Sequence, residues 1–205
     1  MKNNGPKAKR CRRQGMNLFG SDKYDKILQR KPYGPGRNAK TRVGRPSEYA
    51  RQLLEKQKVR DIYGLSERQF GRVYDEATAS RGQTGETIKQ LLERRLDNVL
   101  YRAGFAATRL QARQFAGHGL FLVNGKRVTI PSYRMKIGDV ITVRAQAKDS
   151  PILAANRERN AKYTAPAWLK VETAALKADV TALPRPEDAE QAVDMRQVVE
   201  FYSRT

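Results

Sequence analysis

This 205-residue chain has one cysteine, one histidine and one tryptophan, and only 21 acidic residues against 41 basic ones. The lone Cys11 excludes an intramolecular disulfide and any zinc site built on cysteines, and a reducing compartment is its simplest setting. The lone His118 lies between Gly117 and Gly119 with no nucleophile or paired carboxylate beside it, so a histidine-centred acid/base site is not expected. No stretch approaches the roughly 20 apolar residues of a membrane-spanning helix, and no basic amphipathic segment near the start offers an apolar face to a bilayer. Residues 1–15 have neither the charged-then-apolar order of a secretory signal nor the character of a transit peptide. There is no internal repeat.

What is abundant is positive charge. The formal net charge is +20 and the pI about 10.4, which calls for a polyanionic partner. The surplus is graded: 18 basic against 4 acidic residues in 1–60, 14 against 8 in 61–147, and 9 against 9 in 148–205. Residues 1–46, with KPYGPGRNAKTRVGRP, have few large apolar side chains, so they read as a basic arm that orders only on nucleic acid. GPGRNA (34–39) has the letters of a dinucleotide fingerprint, but no apolar strand precedes it and Pro35 contradicts the required strand-turn-helix setting.

Helices dominate the next stretch. Ser47 caps a run over about 48–63 whose stripe is Tyr49, Leu53, Leu54 and Ile62, with Gly64 as its stop. Ser66 with Gln69 is a capping box opening a second helix, and Phe70, Val73, Tyr74 and Ala77 follow the spacing of a packed face. Gly82 closes it. A third helical run from Thr84 carries Ile88, Leu91, Leu92, Leu96, Val99, Leu100 and Ala103 without a flexible linker. Thr108 with Gln111 caps a short helix that Gly117 is placed to end. Asn124-Gly125 between apolar, β-branched runs is a two-residue hairpin turn, since both residues tolerate positive φ.

The candidate ligands for a phosphate backbone are guanidinium and ammonium groups, with small polar side chains suited to 2′-hydroxyls. On the helices of residues 94–146 these are Arg94, Arg95, Arg102, Thr108, Arg109, Arg113 and Gln114, with His118, Asn124, Lys126 and Arg127 around the turns. Asp97 offers Arg95 a competing role as a structural ion pair. Arg109 and Arg113, four apart, share an exposed side while Leu110 and Phe115 carry the packing, so both should be removable without loss of fold. Towards the start of the chain stand Lys7, Lys9, Arg10, Arg12 and Arg13, then Lys40, Arg42, Arg45, Arg51, Lys56, Lys58 and Arg60. Trp168, Phe201 and Tyr202 read as core or protein contact rather than as base-stacking platforms.

The pattern R-L-D (95–97), T-R-x-x-A-R (108–113), V-N-G-x-x-V (123–128) and G-D-x-I (138–141) resembles the RNA-binding domain of the S-four family of bacterial small-subunit ribosomal proteins. That module covers about a quarter of the chain. GPKAKRCRRQG (5–15), LLEKQKVRDIYGLSERQF (53–70), PAWLKVE (166–172) and VVEFYSRT (198–205) resemble the same family, so the likeness runs nearly end to end. Gly119 departs from it, standing where a basic residue is common.

The resemblance implies an α+β fold: a mostly helical body with an inserted module of two helices on a short antiparallel sheet, and an extended basic N-terminal arm. It places the arm at 1–46, the body at 47–93 and again at 147–205, packing back on 47–93, and the module at 94–146. It implies a primary rRNA-binding role at a helix junction during subunit assembly, with no turnover, metal or cofactor. It also implies contact with mRNA where it enters the subunit, with the small-subunit proteins numbered five and three, a contribution to translational accuracy, and a cytoplasmic setting. No membrane and no second copy of the chain is implied. RNA-modifying and tRNA-charging enzymes carry a similar module, but they need a separate catalytic domain, for which the rest of the sequence has no signature.

Overall fold

The computed structural model describes residues 5–36, 38, 44–148, 150–160 and 163–204, so Lys40 and Arg42 lie outside the described residues. The chain divides into two compact units, Met1–Ile88 with Gln191–Thr205, and Lys89–Glu190. In chain order the helices are α1 (Lys7–Gln14), α2 (Asp22–Arg30), α3 (Glu48–Ile62), α4 (Glu67–Ala79), α5 (Thr84–Glu93), α6 (Leu96–Arg102), α7 (Arg109–His118), α8 (Pro151–Arg159) and α9 (Met195–Ser203). The strands are β1 (Phe121–Val123), β2 (Lys126–Arg127), β3 (Val140–Val143), β4 (Leu169–Glu172) and β5 (Lys177–Val180). This is the α+β class, with a helical unit and a unit built on a five-stranded antiparallel sheet of order β2-β1-β3-β5-β4.

In the first unit the caps form where the sequence places them. The Ser47 hydroxyl accepts from the Ala50 amide, and Ser66 and Gln69 close a reciprocal capping box. The inward face of α3 is more polar than its apolar stripe suggests: Gln52, Lys56, Val59, Asp61 and Ile62 are buried while Tyr49 is 58% exposed. Two of the polar members have partners on α9. Lys56 lies over the Phe201 ring at 4.4 Å, and Gln52 Nε2 donates to Glu200 at 2.9 Å.

The basic N-terminal segment departs from the reading of an arm that awaits RNA. Much of it is two helices, and Cys11, Leu18, Phe19 and Tyr24 are buried, with the Phe19 and Tyr24 rings 5.7 Å apart. Arg10 donates to buried Asp61 at 2.9 Å, and Gln14 Nε2 donates to the Leu54 carbonyl at 2.9 Å. Four apolar side chains are few, and the bonds from Arg10 and Gln14 to α3 add to them, with loss of the Arg10 cation costly because Asp61 is buried.

Two further differences concern the second unit. The run from Thr84 to Ala103 is broken: Arg95 is extended at φ −68° and ψ 138°, bridges antiparallel to Arg134, and precedes α6 as its N-cap. The first amides of α6, which have no partner inside the helix, are met by the loop between β2 and β3, Leu96 N–H by Tyr133 O at 2.8 Å and Asp97 N–H by Pro131 O at 3.1 Å. The segment 147–190 belongs to the second unit, and of the C-terminal stretch only 191–205 joins the first. In the second unit β5 pairs with β3, and Trp168, Leu169, Ala178 and Val180 join the core of Leu96, Leu100, Phe105, Phe121, Met135 and Ile141. Phe105 and Phe121 stack at 5.3 Å.

The hairpin turns on Asn124 and Gly125, at φ 51° and 75°, with Val123 opposite Lys126, the signature of a type I′ turn. Helix α7 runs to His118, two residues beyond the expected end, and Gly119 at φ 66° makes the left-handed cap. The positive φ at 119 favours glycine, and a side chain there would also meet Arg127 Nε at 2.5 Å.

Replacing Arg10 with alanine should cost about 1–3 kcal/mol by removing a charge-assisted bond to buried Asp61, and should raise hydrogen exchange in α1 of the RNA-free protein. Urea unfolding with unchanged midpoint and unchanged exchange would contradict the docking account.

Candidate nucleic-acid interface

The second unit concentrates its arginines around two carboxylates that water does not reach. Asp97, 4% exposed, takes Arg95 in a two-pronged pair (Nε to Oδ1 at 3.1 Å, Nη2 to Oδ2 at 2.9 Å) and also Arg113, whose Nε and Nη2 reach Oδ2 at 3.0 and 2.8 Å. Glu93, fully buried, takes Arg102 the same way at 2.9 and 3.1 Å and accepts Asn98 Nδ2 at 2.7 Å. Asn98 in turn holds Arg109 Nε through Oδ1 at 2.8 Å, Tyr101 lies under the Arg109 guanidinium at 4.5 Å, and Glu190 accepts Arg109 Nη2 at 3.2 Å. Arg94 donates to Met135 O at 2.9 Å.

These bonds correct the expectation that Arg109 and Arg113 can be removed at no cost to the fold. Arg113 satisfies a buried carboxylate, and Arg109 belongs to a network running through Asn98 to Glu93. Leu110, expected to carry packing, is only half-buried, whereas Phe115 is in the core. Arg95 is 6% exposed, so its guanidinium is spent on Asp97 and it offers little to RNA. The Arg95–Asp97 pair was legible from adjacency. The roles of Glu93, Asn98, Tyr101 and Glu190 were not, because the helix break and a distant loop bring them to the arginines.

Around the turns, Gln114, His118, Asn124, Lys126 and Arg127 are exposed, and Thr108 is half-buried with its hydroxyl capping α7. Asn124 is committed to structure as well: Nδ2 donates to Asp139 at 2.8 Å and Oδ1 accepts Val140 N–H at 2.9 Å, tying the hairpin to β3. Arg127 Nη2 donates to the His118 carbonyl at 3.2 Å, which fixes its stem beside Gly119.

In the first unit the basic residues divide likewise. Lys9, Arg13, Arg45 and Arg51 are exposed. Lys7 lies 5.8 Å from the Phe19 ring, Arg10 is held by Asp61, and Arg12 donates to the Tyr33 and Gly34 carbonyls at 3.0 and 3.2 Å. Lys58 pairs with Glu55 and donates to Ala192 O. Glu67 gathers Lys56 at 2.7 Å, Arg60 at 2.9 Å and the Tyr202 hydroxyl at 2.8 Å. Burial works against the Glu67 charge, but the bonds from Lys56, Tyr202 and Arg60 together hold its carboxyl below the ordinary value. Burial, with Glu67 beside it, pushes the Tyr202 phenol above its own.

The class is that of an S4-domain protein, in which a capped helix and a tight hairpin stand beside Arg95, Arg102 and Arg113 bound to buried acids. The family model for the S4 domain matches residues 94–141, and that for the ribosomal protein S4/S9 N-terminal domain matches residues 2–93. The chain is 47% identical over 200 residues to the small ribosomal subunit protein uS4 of Cutibacterium acnes, covering 98% of both chains. It is 46% identical to that of Solidesulfovibrio magneticus, over 97% of both, and 43% identical to that of Thermus thermophilus, over 98% of both. The chain belongs to the uS4 family of small ribosomal subunit proteins.

Asp97→Ala should cost about 3–5 kcal/mol in urea unfolding, because it removes the carboxylate that buried Arg95 and Arg113 both bind; a loss below about 1 kcal/mol would show that the pairs are ornamental. For Glu67 the folded carboxyl titrates below its ordinary 4.5, so its stabilisation is present above that value and is lost as the pH falls below it. Glu67→Gln should therefore melt below the parent at pH 7, with the gap closing in acid; a gap that widens in acid would reverse the sign of this assignment.

Proposed function

We propose that this protein is a structural constituent of the small ribosomal subunit that binds small-subunit rRNA at a helix junction early in assembly and works by binding, without turnover. The observation that carries the reading is full-length likeness to uS4 proteins combined with an arginine cluster whose geometry is fixed before any ligand arrives. Phosphate is the group that suits a fixed guanidinium fork, and folded RNA is recognised chiefly through shape, phosphate and 2′-hydroxyl. The outward-facing Lys9, Arg13, Arg45 and Arg51 of the first unit extend the same chemistry, and part of that surface is assigned to mRNA as it enters the subunit.

Contacts with the small-subunit proteins numbered five and three, and through number five a contribution to translational accuracy, complete the proposal. Support for a protein neighbour comes from the α3–α9 surface, where Glu48, Arg51, Gln52, Asp194, Arg196, Gln197 and Glu200 line one pocket of mixed charge. The protein acts as a single copy within the ribosome, in the cytoplasm.

Two measurements test this. Co-sedimentation with small subunits should survive a high-salt wash, whereas an RNA-modifying enzyme would be released. Binding to an isolated small-subunit rRNA transcript should weaken by about 6–7 decades per decade of salt, from roughly 0.7–0.9 per phosphate and ~8 contacts. A slope shallower than about 2 would sink the phosphate-dominated account.

A further inference from the structure

Two kinds of carboxylate hold the arginines of α6 and α7. Glu93 and Asp97 are 0% and 4% exposed and lie on α5 and α6, so neither can leave without stranding charge in the interior. Glu190 is different. Its side chain is 32% exposed, it comes from the loop that follows β5, and it meets Arg109 through one 3.2 Å contact, long for a charge-assisted bond.

We infer that Glu190 occupies, in the free protein, a subsite built for a single backbone phosphate of the bound RNA, and that this phosphate displaces it. The inference rests on the RNA-binding reading above and deepens it by naming the subsite and its in-chain competitor. Arg109 is oriented independently of Glu190: Asn98 fixes Nε at 2.8 Å, the Tyr101 ring supports the guanidinium face at 4.5 Å, and Asn98, 2% exposed, is fixed by Glu93 at 2.7 Å. Exchanging Glu190 for another anion therefore leaves the guanidinium held by Asn98 and Tyr101. A carboxylate and a phosphate offer the same thing to the Arg109 Nη2 edge, negatively charged oxygens at hydrogen-bonding distance. The exchange also keeps the local balance. Arg94, Arg95, Arg102, Arg109 and Arg113 exceed Glu93, Asp97 and Glu190 by two charges, and one phosphate in place of one carboxylate leaves that surplus unchanged.

The consequence is a small penalty on every polyanion that approaches Arg109. Pairs this exposed are weak, so the penalty amounts to about two- to five-fold in affinity. A double-mutant cycle on the full-length chain reads it directly, with a small-subunit rRNA transcript as probe at one fixed salt concentration. The variants are Glu190→Gln, Arg109→Ala and the two combined, with Glu172→Gln on β4 as a control for loss of an exposed acid in the same unit. Arg109→Lys, which keeps the charge and loses the fork, replaces Arg109→Ala if the latter fails to melt cooperatively. Glu190→Gln should tighten binding about two- to five-fold, more than Glu172→Gln does, and the gain should disappear when Arg109 is changed. A weaker or unchanged affinity for Glu190→Gln, an equal gain from Glu172→Gln, or a gain that persists without the Arg109 guanidinium would overturn the inference while leaving RNA binding intact. A parent chain that does not bind the transcript would overturn the RNA-binding reading and this inference with it.

Discussion

The second unit depends on the desolvation of two carboxylates, Glu93 and Asp97, one on each side of the break between α5 and α6. Left unpaired, each would be prohibitive in the interior, and the chain answers with cations drawn from α6, α7 and the break itself. Arg102 and Asn98 answer Glu93, and Arg95 and Arg113 answer Asp97. The break follows from the same demand. By leaving helical geometry at Arg95, the backbone brings its guanidinium back onto Asp97 and leaves the first amides of α6 for the carbonyls of Pro131 and Tyr133. A polyelectrolyte-binding surface thereby acquires internal order, because guanidinium groups that satisfy buried acids have surrendered their conformational freedom before RNA is met.

The first unit uses the same device with a different result. Asp61 on α3 draws Arg10, and Glu67 draws Lys56, Arg60 and the Tyr202 hydroxyl. Here the cations are consumed in joining segments distant in sequence, α1 to α3 and α9 to α3 and α4, and what remains outward is a sparser set led by Lys9, Arg13, Arg45 and Arg51. A surplus of 20 positive charges is therefore a poor guide to how many cations face a ligand, since many of the 41 basic side chains hold the fold together.

Features set by neighbouring residues were legible in the sequence. The caps at Ser47, Ser66 and Thr108, the Asn124-Gly125 turn and the buried series from Ile88 to Ala103 all follow from local chemistry, and the structure has each of them. Features that need a remote partner were not. Nothing near Arg10 announces Asp61, and the short alternation of β4 and β5 gains meaning only when β3 pairs with β5. The same rule governs the site. Residue type marked the arginines correctly as phosphate chemistry, but which of them point outward is decided by acids on other elements, and Glu190, far along the chain, carried no signal that it would lie on Arg109.

The central claim is that buried acids fix the arginine cluster before RNA arrives. The Nε–H groups of arginine, read by ¹⁵N NMR of the RNA-free protein, report on it most directly. Arg95, Arg102, Arg109 and Arg113 each donate Nε–H to a named acceptor at 2.8–3.1 Å, so the account expects four dispersed, slowly exchanging signals with backbone-like order parameters. Signals collapsed at the shift of a solvated arginine and exchanging freely until RNA is added would contradict it, and would make the cluster a product of binding rather than its precondition.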